Sequence, residues 1–448
     1  MRTRQVIMPR SYSRMGIGGD GSTLNLDFTK MSELDSRFTF TRSTTATYIN
    51  SSGYVATMAA AATNDPTKAR FDYNPTTLAP NGLLIEGQTT NLTKRSDNAF
   101  SNAYWETTTS NVDAADSAVT SPTGVASTAS TLTERYALGA SVSRHIHQLT
   151  GEFTPTVATS YTMSAWVKQP ASAAIRYVQF AFWTAGFGAT AYMNYDIQAG
   201  TVGTGGAGIT ASTITAYPSG WYRITATAPA TATGSSGFQL GFSTTSGAAR
   251  TESYTITSGS EKSIYLWGAQ VEAGVGASSY YPTTTSQGTR IADSCNIGTI
   301  TPFNYSTTNG TLFYSGIMTK QNSASYPIRV GFYNTSDTKC FSFYTNGGSL
   351  FFGAAGDATA ENIKSYTLNT VFKAAMSLDA SLSTSELIVN LNGSTGATGA
   401  TALTATNTPN QFSFGQVGYE AYFPCGTISA VKYWNTTKTA AELAALTA

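Results

Sequence analysis

Four ionic residues, Arg42, Arg70, Asp72 and Glu86, stand close together in an otherwise acid-poor, turn-rich stretch. Two such carboxylates could serve as general acid and base on a glycosidic bond. The same side chains could instead clamp loops through bidentate arginine–carboxylate pairs, and the turn-rich setting favours that clamp. The two histidines, His145 and His147, are spaced so that a strand would put both on one face. A metal site needs a third and usually a fourth ligand, and no cysteine or carboxylate cluster nearby supplies one. A solvated polar strand face is therefore expected. No Gly-x-Ser-x-Gly elbow stands on a strand–helix turn. The run Gly16–Gly21 lacks the preceding strand and following helix of a phosphate loop, so it reads as a hinge. No catalytic residue, metal or cofactor is expected.

A second pattern suits binding rather than catalysis. If Val178, Phe180 and Phe182 face a core, then Tyr177, Gln179 and Trp183 face outward. Ala191, Met193, Tyr195 and Ile197 inward would likewise turn Tyr192, Asn194 and Asp196 outward. On neighbouring strands these six would set rings beside amide and carboxylate groups, as sugar stacking and hydroxyl bonding require. The alternative is that residues 24–92 or another subunit cover this face.

The elements that must position these groups are strands. Tyr161, Met163, Ala165 and Val167 alternate with polar residues, and Trp221–Thr227 and Ser263–Trp267 continue the pattern. Eight or more short strands without helical interruption predict an antiparallel jelly roll over 96–293. Strand-like runs at Leu312–Tyr314, Phe341–Phe343, Phe372–Leu378, Leu387–Val389 and Ile428–Tyr433 predict a second sandwich over 294–448. Its last residues form a short helix, because Thr439 and Glu442 have capping-box spacing and Leu443 and Leu446 give one apolar edge. The Gly- and Thr-rich stretch Gly393–Thr408 reads as a loop. Residues 24–95 form a turn-rich segment, too small for its own core, that packs on its neighbours.

The chain has 448 residues, which at roughly 150 per domain suggests three folded units. Charged residues make up 11% and the net charge is +1, so no overall field points to nucleic acid or membrane. Residues 1–23 carry Arg2, Arg4, Arg10 and Arg14 without apolar periodicity, as an extended arm would. Four charges without interleaved aromatics make a weak nucleic-acid footprint, and docking on an acidic groove of a neighbouring subunit is the expected use. No apolar run follows the basic start as in a signal peptide, and none is long enough to span a bilayer.

The run Phe38-Thr39-Phe40-Thr41-Arg42-Ser43-Thr44-Thr45-Ala46-Thr47-Tyr48, then Ala69–Tyr73, then Gly82–Glu86 and Thr90-Asn91-Leu92, resembles a module of bacteriophage structural proteins. The motifs Phe100–Trp105, Gly220–Arg223, Leu266–Gly274, Ser279–Thr283 and Thr289-Arg290 resemble the carbohydrate-binding-like jelly roll those proteins share. Gly426–Trp434, leading into the terminal helix, is similar to laminin-G-like or concanavalin-like domains. The resemblance implies a non-enzymatic tail-fibre, spike or head-decoration subunit, attached to other virion proteins by its arm. A homotrimer, a host surface glycan as ligand, and assembly in the host cytoplasm are the matching expectations. Cys295, Cys340 and Cys425, odd in number and far apart, fit folding in that reducing compartment. A passive capsid-stabilising protein and a glycan depolymerase are the rival readings.

Overall fold

In the computed structural model the described residues are 19–448, without 98–99, 101–103, 108, 149–151, 171–175, 322–328, 335–338, 347–348, 355–360, 380–385, 401–408 and 415–424. The protein is all-β, built from antiparallel sheets in two sandwiches. The arginines of the arm, Arg2, Arg4, Arg10 and Arg14, lie outside the described residues.

The middle sandwich pairs two six-stranded sheets whose strands all fall between Trp105 and Ala273. One sheet centres on Ser160–Lys168, flanked by Trp221–Pro229 and Ser263–Ala273. The other centres on Tyr177–Ala181 and Gln239–Ser243. Alternation drives one face of each inward: Met163, Ala165, Val167, Val178, Phe180, Ile224, Leu240 and Leu266 are fully buried together. Their burial at about 25 cal/mol per Å² is the main force holding the sheets face to face.

The second sandwich draws on both ends of the chain. Its larger sheet places Asn309–Met318 between Val371–Asp379 and Cys425–Trp434. That last strand also pairs with Leu24–Asp27 and with Pro80–Glu86, and Pro80–Glu86 pairs in turn with Arg70–Tyr73. In the facing sheet Phe38–Thr41 pairs with Ser294–Ile297. Residues 24–86 thus supply integral strands to the sandwich of residues 294–434, and Leu24, Leu26, Phe28, Phe38, Phe40, Leu83 and Ile85 sit in its core. The turn-rich appearance of this segment reflects strands of only four to seven residues, three of which, Leu24–Asp27, Phe38–Thr41 and Pro80–Glu86, pair with strands more than 200 residues farther along the chain. Gly82 marks how close that pairing is. It sits at φ +107°, and a Cβ there would lie 2.2 Å from the Ile428 carbonyl oxygen.

Asp20 to Thr23, expected as the end of the arm, dock on the terminal strand. Trp434 Nε1 donates to the Asp20 carbonyl at 3.1 Å, and Lys432 pairs with the Asp20 carboxylate at 2.7 Å. Part of Gly393–Thr408 is a strand rather than a loop, since Ser394–Ala400 pairs with Glu386–Leu391. Asn392 and Gly393 join the two with φ of 46° and 74°, the conformation of a tight hairpin turn. The terminal helix Ala440–Thr447 carries the capping box of Thr439 and Glu442 and buries Leu443 against Phe313, Ala375 and Trp434. No helix among the described residues is long and apolar enough to cross a membrane.

Candidate functional site

Where the two sandwiches meet, buried ions replace an apolar core. Arg70 lies at the centre, donating from Nη2 to Asp293 Oδ2 at 2.6 Å and from Nη1 to Glu86 Oε2 at 2.7 Å. Arg42 reaches the other Asp293 oxygen at 3.0 Å, and Arg290 lies 3.7 Å from Glu86. Ser279 closes the ring, its backbone N–H and hydroxyl both donating to Glu86, at 2.7 and 2.5 Å. Burial pushes the Glu86 carboxyl up, but Arg290, Arg70 and Ser279 together hold it well below the usual carboxylate range. For Arg70, burial works against the charge and the two carboxylates overcome it, so the guanidinium stays protonated. A second joint follows the same logic: Lys320 pairs with buried Glu272, which also accepts from Ser278 and Thr89.

Three of the four ionic residues expected as a clamp, Arg42, Arg70 and Glu86, are thus brought together, and Asp72 is not. Asp293 and Arg290, more than 200 residues along the chain from Arg70 and Glu86, complete the network. Position along the strand explains the exclusion. Arg70 and Asp72 share a face of Arg70–Tyr73, but Arg70 points into the joint, whereas Asp72 sits one residue pair farther along, where the joint opens into a cleft. Asp72 Oδ1 accepts from the Ile49 N–H at 2.7 Å, and among the described residues Oδ2 has only the Asn81 amide, at 3.4 Å. Burial, with a contribution from nearby Glu86, raises this carboxyl to about 7.

The cleft, about 490 Å³, runs between the turn-rich segment, the outer face of strands Ala211–Tyr217 and Trp221–Pro229, and loops near Thr319 and Leu368. Its aromatic end is Tyr217 packed edge-on against Trp166 at 5.6 Å. Trp166, Trp221, Trp267 and Tyr280 form a cluster with Val55, separate from the core between the sheets. Trp221 and Trp267 are buried here, under the turn-rich segment. Arg223 lies over the Trp166 ring at 4.5 Å and donates to Ser164 Oγ and the Ser278 carbonyl. Burial pushes the Tyr217 hydroxyl up to about 12, against the pull of Arg223. Ser212, Thr213, Thr215, Asn74 and Asn81 add hydroxyl and amide groups to the walls. Asp72 was expected from sequence for another role, and the cleft itself was missed, because it exists only where distant segments converge.

The expected ring-and-amide face of the middle sandwich is placed differently. Tyr177–Ala181 and Tyr192–Asp196 are neighbours, and Gln179 lies opposite Asn194. Both amides are buried, though, beneath the chain's own loop from Thr244 to Glu252. Gln179 Nε2 donates to Asn194 Oδ1 at 2.8 Å and to the Ala249 carbonyl, while its Oε1 accepts from the Thr251 N–H at 2.7 Å. Asn194 Nδ2 donates to the carbonyls of Thr204 and Ala248 at 2.7 and 2.8 Å. Asp196 is spent on its own turn, accepting from the N–H groups of Gln198 and Ala199. Tyr177, Trp183 and Tyr192 remain partly exposed at the margins of the loop. The rings and amides therefore do not form one open platform.

His145 and His147 do share a strand face, with rings 5.3 Å apart, and His147 meets Trp183 edge-on at 5.6 Å. Their face is half-buried rather than solvated. Burial, followed by the charges of His147 and Arg250, lowers His145 to about 4. No group of three or more His, Cys, Asp or Glu side chains among the described residues could hold a metal ion.

Fold and site together define an all-β protein of two sandwiches fused by a buried ionic joint, with a polar–aromatic cleft at the seam. No family model matches the chain, and no curated protein matches it. Among solved structures, the Ruminococcus gnavus IT-sialidase CBM40 bound to alpha2,6 sialyllactose is similar over 32% of this chain and 85% of its own, at 17% identity and TM-score 0.27. Trypanosoma rangeli sialidase in complex with sialic acid is similar over 70% of this chain and 50% of its own, at 11% identity and TM-score 0.29. At such TM-scores these likenesses carry no weight for the site or its ligand.

Proposed function

We propose that this chain is a non-enzymatic attachment protein of a bacteriophage virion, a tail fibre, spike or head decoration, that binds a host-surface glycan in the cleft at its seam. The observation that carries the binding is the lining of the cleft, which combines the rings of Tyr217 and Tyr73 with the polar side chains of Thr213, Thr215 and Asn81. Concave sites with a few convergent polar groups among rings are where small ligands are held, and sugars present both an apolar face and hydroxyls. The sequence motifs of residues 38–92 and 266–290 support the virion context. In this reading the segment that carries Arg2, Arg4, Arg10 and Arg14, ahead of the docked residues 20–23, binds other virion proteins, the chain assembles as a homotrimer, and it needs no cofactor. Against the depolymerase, Glu86 would have to leave two guanidinium groups and Ser279 before it could serve beside Asp72.

The test is a glycan array probed with the full chain and with Tyr217→Ala, alongside gold labelling of phage particles. Binding to a defined set of host glycans that Tyr217→Ala weakens at least tenfold, with label on the particle surface, is the expected result. Unlabelled particles would end the virion assignment. Binding that Tyr217→Ala leaves unchanged would end the cleft assignment. Host polysaccharide shortened at catalytic protein concentrations would replace attachment by depolymerisation.

A further inference from the structure

Charge at the seam distinguishes Asp72 from every buried carboxylate that forms the joints. Asp293 has Arg42 and Arg70, Glu86 has Arg70 and Arg290, and Glu272 has Lys320. Glu134, buried in the middle sandwich, has Arg176. Among the described residues no lysine or arginine forms an ion pair with Asp72. One of its oxygens is held by a strong backbone hydrogen bond. The other faces the cleft with a single long contact to Asn81 and keeps lone pairs free. A carboxylate partly withdrawn from water, with Arg70 acting on it only through space and no ion pair of its own, is costly, and a cation delivered from the cleft would lower that cost.

Resting on the glycan reading above, we propose that the cleft selects saccharides bearing a free, protonated amino group, and that the ammonium sits on the cleft-facing oxygen of Asp72. An ammonium supplies both what the carboxylate lacks, a positive charge, and what its free lone pairs accept, a charge-assisted hydrogen bond. The Asn81 amide and the threonine hydroxyls beside it remain for neighbouring sugar hydroxyls. The cation already in the cleft does not compete, because the Arg223 guanidinium sits over the Trp166 ring at 4.5 Å and donates to Ser164 and Ser278. An N-acetylated sugar of the same configuration offers no charge and brings an acyl group that must be accommodated. It is therefore discriminated against.

Titration calorimetry of the full chain with gluco-, galacto- and manno-configured 2-amino-2-deoxy oligosaccharides, each in free-amine and N-acetylated form, tests the assignment. A free-amine member should bind at least tenfold more tightly than its acetylated partner. Asp72→Asn, which keeps an acceptor for the Ile49 N–H, should bring the two forms within about twofold. Preference for acetylated, neutral or acidic members overturns the assignment and leaves glycan binding standing, as does a preference that survives Asp72→Asn. Binding of no member overturns the assignment, and the glycan array then judges the glycan reading separately. The wild-type comparison decides the matter even if Asp72→Asn does not fold.

Discussion

At the scale of single residues, the seam is a place where burial and charge oppose one another. Asp72 is raised to about 7, whereas an unfolded aspartate titrates near 3.9. Between those values the folded chain holds a proton that the unfolded chain has lost, so the contribution of this group to stability falls as pH rises from about 4 to about 7. Asp72→Asn removes the ionisation and retains the acceptor for the Ile49 N–H. The variant should therefore melt higher than the wild type at pH 8, by roughly 1–2 kcal/mol after discounting for water in the cleft, and match it at pH 4. Thermal melts of both proteins across that range check this, and a difference that does not change with pH would mean that the carboxyl ionises as an exposed one does. Sequence placed Arg42, Arg70 and Glu86 in one clamp because arginine and carboxylate in a turn-rich stretch have few other uses. It could not place Asp293, whose partners lie more than 200 residues away and which nothing local distinguishes from a turn aspartate.

At the scale of elements, alternation reads the side of a strand correctly and is silent about what lies over it. Gln179 and Asn194 do point away from the sandwich core, as the period of two requires, yet they are buried because residues 244–252 fold back across them. The amides act as posts for that loop rather than as contacts for a ligand. Asn194→Ala removes two hydrogen bonds from side chain to backbone and leaves the Ala248 and Thr204 carbonyls without them, at a cost of about 2 kcal/mol. The loop should also open, so trypsin should cleave after Arg250 several times faster in the variant than in the wild type. Equal cleavage rates would show that the Arg250 contacts to the Phe182 and Ala191 carbonyls hold the loop without the amides. The hairpin at Asn392-Gly393 teaches the complementary lesson. There the turn dipeptide was present in the sequence, but the Gly- and Thr-rich composition of the following strand concealed its pairing.

At the scale of the whole molecule, the order of the chain and the order of the sheets differ, and this sets how the protein comes apart. The middle sandwich completes both of its six-stranded sheets with strands lying between Trp105 and Ala273. Next to it, Thr89–Asn91 pairs with Gly288–Arg290, so the segment enters and leaves at one place. The second sandwich has no such closure. Without residues 24–86 its terminal strand Cys425–Trp434 would lose two partners, Leu24–Asp27 and Pro80–Glu86, and its core would lose Phe28, Phe38, Phe40, Leu83 and Ile85. Removing one large buried side chain already costs roughly 2–5 kcal/mol, and whole-domain stabilities are only about 5–15 kcal/mol. A fragment of residues 88–291 should therefore fold cooperatively by itself, with a sharp thermal transition and dispersed amide resonances. A fragment of residues 294–448 should be insoluble or unfolded, and should recover its structure only when residues 19–87 are joined to it by a short linker in place of the middle sandwich. Cooperative folding of 294–448 alone would mean that the N-terminal strands are added to a finished sandwich. The seam and its cleft would then be a docking contact between independent units rather than part of a shared core.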